Sequence, residues 1–181
     1  STEYVQPNVA LVKETNVLYH DYGDNKPQAD MSDFKIESQE KSVGGDKYGN
    51  SAITKINYIP SAITDLTSAF SGFKSLVNAP EIPNSVTNMN ATFYGCQSLV
   101  TAPVIPSSVT SMISTFSNCS SLVTAPEIPN SVTSMSSTFR GCTSLVNVTV
   151  IPNSVTNMDN TFYNCSSLVT APVIPDSVTS L

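Results

Sequence analysis

The chain has 181 residues, of which 8 are basic and 14 acidic, and its net charge of −6 argues against nucleic acid and anionic membranes as partners, since both attract basic surfaces. The length suits one domain or a short repeat array with a small flanking unit. This segment contains no run of about 20 apolar residues, so we predict that it does not insert into a membrane. It does not begin with a signal peptide. If the protein is exported, we expect the signal to have been removed and any anchor to lie beyond Leu181.

Residues 1–51 differ in composition from the rest of the chain and contain no repeat. Apolar runs at residues 9–12 and 17–19 predict two β-strands, and residues 34–36 a third. Terminal units of repeat proteins must cover an open edge. We therefore interpret this region as a small N-terminal β cap, with a separate flanking domain as the alternative.

Two features of the N-terminal region could carry chemistry. His20, the only histidine, lies next to Asp21, but no constellation of acid, base and nucleophile accompanies the pair. Four aspartates between residues 21 and 33 lack the regular alternation of a calcium-binding EF-hand loop. We predict no enzymatic activity, no cofactor and no metal site.

Internal repetition dominates the chain after residue 58. Ile-Pro pairs recur every 23 residues without insertion, and the unit reads I-P-x-S-V-T-x-M-x-x-T-F-x-x-C-x-S-L-V-x-A-P-x. We assign residues 52–181 to a repeat domain. It consists of a degenerate coil at 52–59, five full repeats at 60–174 and a partial sixth at 175–181.

The apolar positions of one unit are three or four residues apart, a spacing that by itself is typical of an amphipathic helix. Two prolines per unit, such as Pro103 and Pro106, argue against a helix because each removes a backbone donor and pushes the preceding residue into extended geometry. Two residues after each Phe lies Gly or Asn, which enter left-handed conformations at the lowest cost, and this predicts a turn. The turn column comprises Gly72, Gly95, Asn118, Gly141 and Asn164.

These patterns predict the fold class. We expect a β-rich solenoid of 23-residue leucine-rich-type repeats, built from short parallel strands and turns. Identical columns of successive coils should stack about 5 Å apart, which is the spacing of paired strands. One coil by itself would be unstable.

The four cysteines share one column of the repeat, and Phe73 fills the same column in the first unit. Stacked side chains keep their Cβ atoms about 5 Å apart, beyond the roughly 3.5–4.5 Å of a disulfide. We expect free thiols in an apolar core position, with disulfides and metal binding as the alternatives. The column comprises Cys96, Cys119, Cys142 and Cys165.

The repeat resembles the BspA-like leucine-rich repeats of bacterial surface proteins. The matching text is I-P-N-S-V-T at residues 128–133 and 151–156, then Phe, then Cys-x-S-L as at residues 119–122. The stretch from Met112 to Phe116 departs from the family's usual I-G-x-x-A-F and is one residue shorter. The resemblance implies a non-catalytic, secreted or cell-surface module for adhesion or self-assembly, and it transfers no site residues and no named ligand.

Three hypotheses for function follow. The first is recognition of an extracellular protein or glycan through a column that varies between coils; Tyr94, Arg140 and Tyr163 are its candidate residues, because Tyr and Arg are enriched in binding hot spots. The second is a structural stalk or scaffold that self-associates through an open C-terminal coil. The third is ice binding by the regular threonine columns, which the proline-bent coil disfavours.

Overall fold

The structure, a computed structural model, describes residues 54, 56, 59, 61 and 63–181. These residues form a repeat solenoid whose successive coils stack in register. Each coil pairs with the next at positions 23 residues apart, as Asn88 pairs with Ser111. The predicted cap and most of the predicted degenerate coil lie outside the described residues, although Ile56 and Ile59 of that coil are buried.

The coils pair through isolated bridges instead of the short parallel strands that the sequence predicted. Within the described ranges there is no helix and no strand longer than one residue. Prolines shortly after one bridge column and a tight turn shortly after the other prevent the ladders from extending. All the bridges are parallel; one column contains Asp65, Asn88, Ser111, Ser134, Asn157 and Ser180, and the other contains Asn78, Thr101, Thr124 and Asn147.

Backbone hydrogen bonds join each coil to both of its neighbours. The Thr110 N–H donates to the Thr87 carbonyl of the preceding coil, and the Phe93 N–H donates to the Thr115 carbonyl of the following coil, both at 2.9 Å. Within a coil, bonds from N–H to the carbonyl three residues earlier close the corners, as from Val109 to Pro106 at 3.1 Å. A corner every three or four residues explains the helix-like spacing of apolar columns in a chain without helices.

The core consists of ladders of identical side chains. Phe93, Phe116 and Phe139 are fully buried, and their ring centroids stack at 5.6 and 5.8 Å with planes within 5° of parallel. Columns of Val, Met, Cys and Leu are buried beside them. Because every ladder is shared between coils, the burial of apolar surface depends on stacking.

A buried polar column that was not predicted lies next to the Phe ladder. Thr92, Thr115, Thr138 and Thr161 are all buried. Each hydroxyl donates to a backbone carbonyl 26 residues earlier, as Thr115 Oγ1 does to the Met89 carbonyl at 2.8 Å. The column is therefore satisfied within the core and adds a side-chain bond between coils.

The turn predicted two residues after each Phe is confirmed. Gly72, Gly95 and Gly141 have φ of 78°, 71° and 72°, and Asn118 and Asn164 have φ of 60°. A second left-handed column, two residues after Leu66 and after each Met, was not predicted. It comprises Ser68, Ala91, Ser114, Ser137 and Asn160.

The second left-handed column carries strain that hydrogen bonds between coils offset. A left-handed conformation costs a non-glycine residue roughly 1–2 kcal/mol. The Ala91 N–H donates to the Ile113 carbonyl at 2.8 Å and the Ser114 N–H to the Ser136 carbonyl at 2.9 Å. Stacking thus imposes a conformation that these residues do not favour locally.

Alanine at Gly141 is expected to destabilise the solenoid more than alanine at Gly72. Both glycines have left-handed φ, so each substitution introduces similar backbone strain. A Cβ added at Gly141 would lie 2.3 Å from Asn118 Oδ1, whereas one added at Gly72 meets nothing within 4 Å. Because Asn118 is exposed and its side chain can rotate away, the added cost is modest: we expect Gly141→Ala to lower the free energy of unfolding by about 1.5 kcal/mol and Gly72→Ala by about 1 kcal/mol, measured by urea denaturation. Equal losses would contradict a steric role for Asn118.

Candidate interaction surface

The cysteine column belongs to the core. Cys96, Cys119 and Cys142 are buried, and each Sγ donates to the carbonyl of the Phe in the preceding coil at 3.2, 3.1 and 3.0 Å. Burial raises the pKa of Cys142 to about 12 and also raises the pKa of the other two. Cys165 is less buried, and burial raises its pKa too. Neutral thiols are poor nucleophiles and poor metal ligands, so this column is structural.

Across residues 63–181 and the four described positions before them, no group of three or more His, Cys, Asp or Glu could hold a metal ion. That part of the chain also has no helix long and apolar enough to cross a membrane. His20 and the aspartates between residues 21 and 33 lie outside the described residues.

The threonine column considered for ice binding is exposed. Oγ1 of Thr110 donates to the Thr87 carbonyl at 3.3 Å, and Oγ1 of Thr133 donates to the Thr110 carbonyl at 3.4 Å. Each hydroxyl is thus engaged with the backbone of the preceding coil. The column contributes to coil stacking.

The position directly after the Phe of each repeat is the variable column, and its side chains differ in exposure. Tyr94 and Tyr163 are 42% and 60% exposed, and Arg140 is also exposed. Ser71 and Ser117 of the same column are buried. The column is therefore not exposed along its whole length: the buried Ser117 lies between Tyr94 and Arg140, whereas Arg140 and Tyr163 are adjacent.

Arg140 and Tyr163 contact one another on neighbouring coils. The guanidinium carbon of Arg140 lies 5.2 Å from the centroid of the Tyr163 ring, which is the geometry of a cation–π interaction. Tyr94 lies two coils from Arg140, roughly 10 Å along the stack, with Ser117 between them. The structure thus brings together two of the three predicted site residues and leaves the third apart.

A second exposed surface follows the A-P-x-I-P segments and their equivalent V-T-V-I-P at residues 148–152. We name it the proline strip; it consists of residues 79–83, 102–106, 125–129, 148–152 and 171–175. The isoleucine of the segment is buried in the first four coils, whereas the residue before it is exposed, and Val104 is 87% exposed. A groove of about 440 Å³ lies between two successive segments, lined by residues 102–105 and 126–130.

A family comparison identifies this arrangement of coils. The sequence model of the BspA type leucine rich repeat region matches the chain in six copies, over residues 27–138 and 67–181. The chain belongs to the BspA-type leucine-rich repeat family. The match confirms the resemblance seen in I-P-N-S-V-T and Cys-x-S-L, and it begins inside the region predicted as a cap. No curated protein has a significantly similar sequence.

Leucine-rich repeat proteins of known structure resemble this BspA-type chain. The T. pallidum leucine rich repeat protein is 32% identical with a TM-score of 0.58, and the match covers 67% of this chain and 57% of that one. A leucine rich cell surface protein from Faecalibacterium prausnitzii A2-165 is 30% identical with a TM-score of 0.55, covering 61% of this chain and 30% of that one. A leucine-rich repeat protein from Bacteroides ovatus ATCC 8483, 17% identical with a TM-score of 0.50 and covering 84% and 44%, supports the fold. The chain spans less than two thirds of the length of each.

Proposed function

We propose that this BspA-type chain is a secreted or cell-surface module that binds an extracellular protein or glycan and catalyses no reaction. Membership in the family supports this proposal, as does the likeness to a leucine rich cell surface protein. The observation that carries it is the exposed contact between Arg140 and Tyr163. The predicted cap at residues 1–51 would be part of the same module.

The Arg140–Tyr163 pair has the properties of a recognition site. The Arg140 guanidinium makes no hydrogen bond within the described residues, so its N–H groups are available to donate to a carboxylate, a sulfate or a sugar hydroxyl. The Gly141 N–H donates to the Tyr163 carbonyl at 2.8 Å, which fixes the distance between the two coils beneath the pair. A preorganised pair loses less conformational entropy when a ligand binds.

The test is an array of glycans and extracellular-matrix proteins, probed with the wild type and with a Tyr94→Ala, Arg140→Ala, Tyr163→Ala variant. We expect the variant to lose at least tenfold in affinity, because truncating central aromatic and arginine contacts costs about 2 kcal/mol or more at hot spots. The variant should still fold, since all three side chains are exposed.

A matched control removes one cation and one large polar side chain from another exposed column. Lys74 and Gln97 are both exposed, so a Lys74→Ala, Gln97→Ala variant should keep wild-type binding. Binding retained by the triple variant would contradict this face as the site. If neither the wild type nor any variant binds a ligand on the array, the alternative of a structural stalk or self-assembling scaffold is favoured.

A further inference from the structure

The proline strip contains backbone N–H groups without a hydrogen-bond partner, whereas backbone groups in neighbouring parts of the coil are paired between coils. In the described part of the chain, the N–H groups of Val104, Ile105, Glu127 and Ile128 make no hydrogen bond within the protein. Just before the strip, by contrast, the Val100 N–H donates to the Val77 carbonyl of the preceding coil at 3.1 Å. Prolines at both ends of the segment cannot donate, so the ladder stops there. Val104 and Glu127 are exposed, so their N–H groups are available to water or to a ligand, whereas Ile105 and Ile128 are buried.

The central residues of the strip combine apolar surface with negative charge. Along the stack, Glu81, Val104 and Glu127 follow one another, and all three are exposed. Val150 and Val173 continue the column and are 86% and 87% exposed. The five segments of the strip contain no basic residue. A partner that complements this column must be basic and partly apolar.

The spacing of the two carboxylates restricts the partner further. Glu81 and Glu127 lie two coils apart, roughly 10 Å along the stack. A peptide in the polyproline II conformation has three residues per turn and rises about 3.1 Å per residue, so side chains at i and i+3 lie on the same side, about 9 Å apart. This conformation has no internal hydrogen bonds, so the peptide carbonyls remain available to accept from outside.

We infer that the proline strip binds an extended basic peptide in the polyproline II conformation, with Lys or Arg at every third residue. The two cations pair with Glu81 and Glu127, and a peptide carbonyl accepts from the N–H group of Val104, which is 87% exposed. The aliphatic stems of the two cations pack against Val104 at the groove of about 440 Å³. This inference deepens the proposed function by naming a class of protein partner, but it uses a different surface from Arg140 and Tyr163.

The test uses a fluorescently labelled peptide of five Lys-Pro-Val repeats, titrated with the full chain at low ionic strength and followed by anisotropy. The control peptide has the same composition with its lysines grouped at one end. We expect the spaced peptide to bind more tightly. The Glu81→Gln, Glu127→Gln variant should bind it about five- to tenfold more weakly, as expected for two exposed ion pairs, and the difference should shrink with added salt.

Two further variants distinguish binding at the strip from general attraction between an acidic protein and a basic peptide. The Asp65→Asn, Asp176→Asn variant removes two exposed acids outside the column, the same change in charge as the double glutamate variant, and should leave binding unchanged, which excludes an effect of net charge. Val104→Ser should weaken binding without changing any charge. Equal binding of the two peptides, or unchanged affinity in the double glutamate variant, would overturn the inference.

The same assay with the Tyr94→Ala, Arg140→Ala, Tyr163→Ala variant keeps the two proposals distinguishable. Peptide binding by that variant at wild-type affinity supports the strip as an independent site. If the variant loses its array ligand while the wild type ignores the spaced peptide, the inference on the strip fails and the proposed function stands.

Discussion

Replacing Phe116 with alanine is expected to lower the free energy of unfolding by about 3–5 kcal/mol. The ring is fully buried and stacks between Phe93 and Phe139, with centroids 5.6 and 5.8 Å away. The cavity cannot close easily, because the backbone on either side is bonded to adjacent coils, as the Phe116 N–H is to the Thr138 carbonyl at 2.9 Å. Chemical denaturation followed by circular dichroism measures the loss.

The position of Phe116 in the middle of the described coils adds a second expected result. Repeat proteins are stabilised by interactions between nearest neighbours, so weakening one interface in the centre should broaden the unfolding transition as well as shift it. Ile113→Ala is the matched control, since Ile113 lies in the same coil and is partly exposed, and it should cost less than about 1 kcal/mol. A similar loss in the two variants would contradict the Phe ladder as the main source of coupling.

Stability is expected to fall steeply as the pH rises above about 9, because of the buried cysteines. Burial raises the folded-state pKa of Cys142 to about 12 and raises that of Cys96 and Cys119, whereas thiols in the unfolded chain ionise near their ordinary pKa of about 8.5. Below that value both states hold their protons, and the stability from the thiols is fully present. Above it the unfolded state releases protons that the folded state retains, so the free energy of unfolding drops by up to about 1.4 kcal/mol per pH unit for each thiol.

Urea denaturation at pH 7, 9 and 10.5 tests this pH dependence. The control is a Cys96→Ala, Cys119→Ala, Cys142→Ala variant, in which the alkaline loss should be much smaller. All other titratable groups are the same in both proteins, so the difference in slope isolates the thiols. Each single Cys→Ala variant should remove about one third of the slope, which keeps the test usable if the triple variant is too unstable. Parallel pH profiles would rule out the buried thiols as the cause.

The candidate surfaces show how far sequence reasoning reaches into function. The proximity of Arg140 and Tyr163 could be predicted from the sequence, because they occupy the same position in two successive 23-residue repeats. The burial of Ser117 could not be foreseen, since it depends on the side chains of the coils on either side. The proline strip could not be predicted for a related reason: a sequence shows that Pro103 and Pro106 lack donors, but not that the N–H groups of Val104 and Ile105 also remain unpaired.

The sequence by itself determined the features that depend on one residue type in one repeating position. These are the register of the Phe, Met, Cys and Leu columns, the turn at Gly141 and its equivalents, and the exclusion of helices by proline. Each follows from the local stereochemistry of one residue type, which recurs at the same position of every repeat. The family then followed from the repeated text, as the match to the BspA type leucine rich repeat region shows.

Only the tertiary structure decided how the coils are joined. The coils are joined by single bridges where strands were expected, and Ala91 has a left-handed conformation. The buried Thr115 hydroxyl donates to the Met89 carbonyl, 26 residues away. The physical reason is the same in each case. The hydrogen-bond partners of these groups lie in another coil, so their geometry is set by how closely the coils approach, which no single repeat specifies.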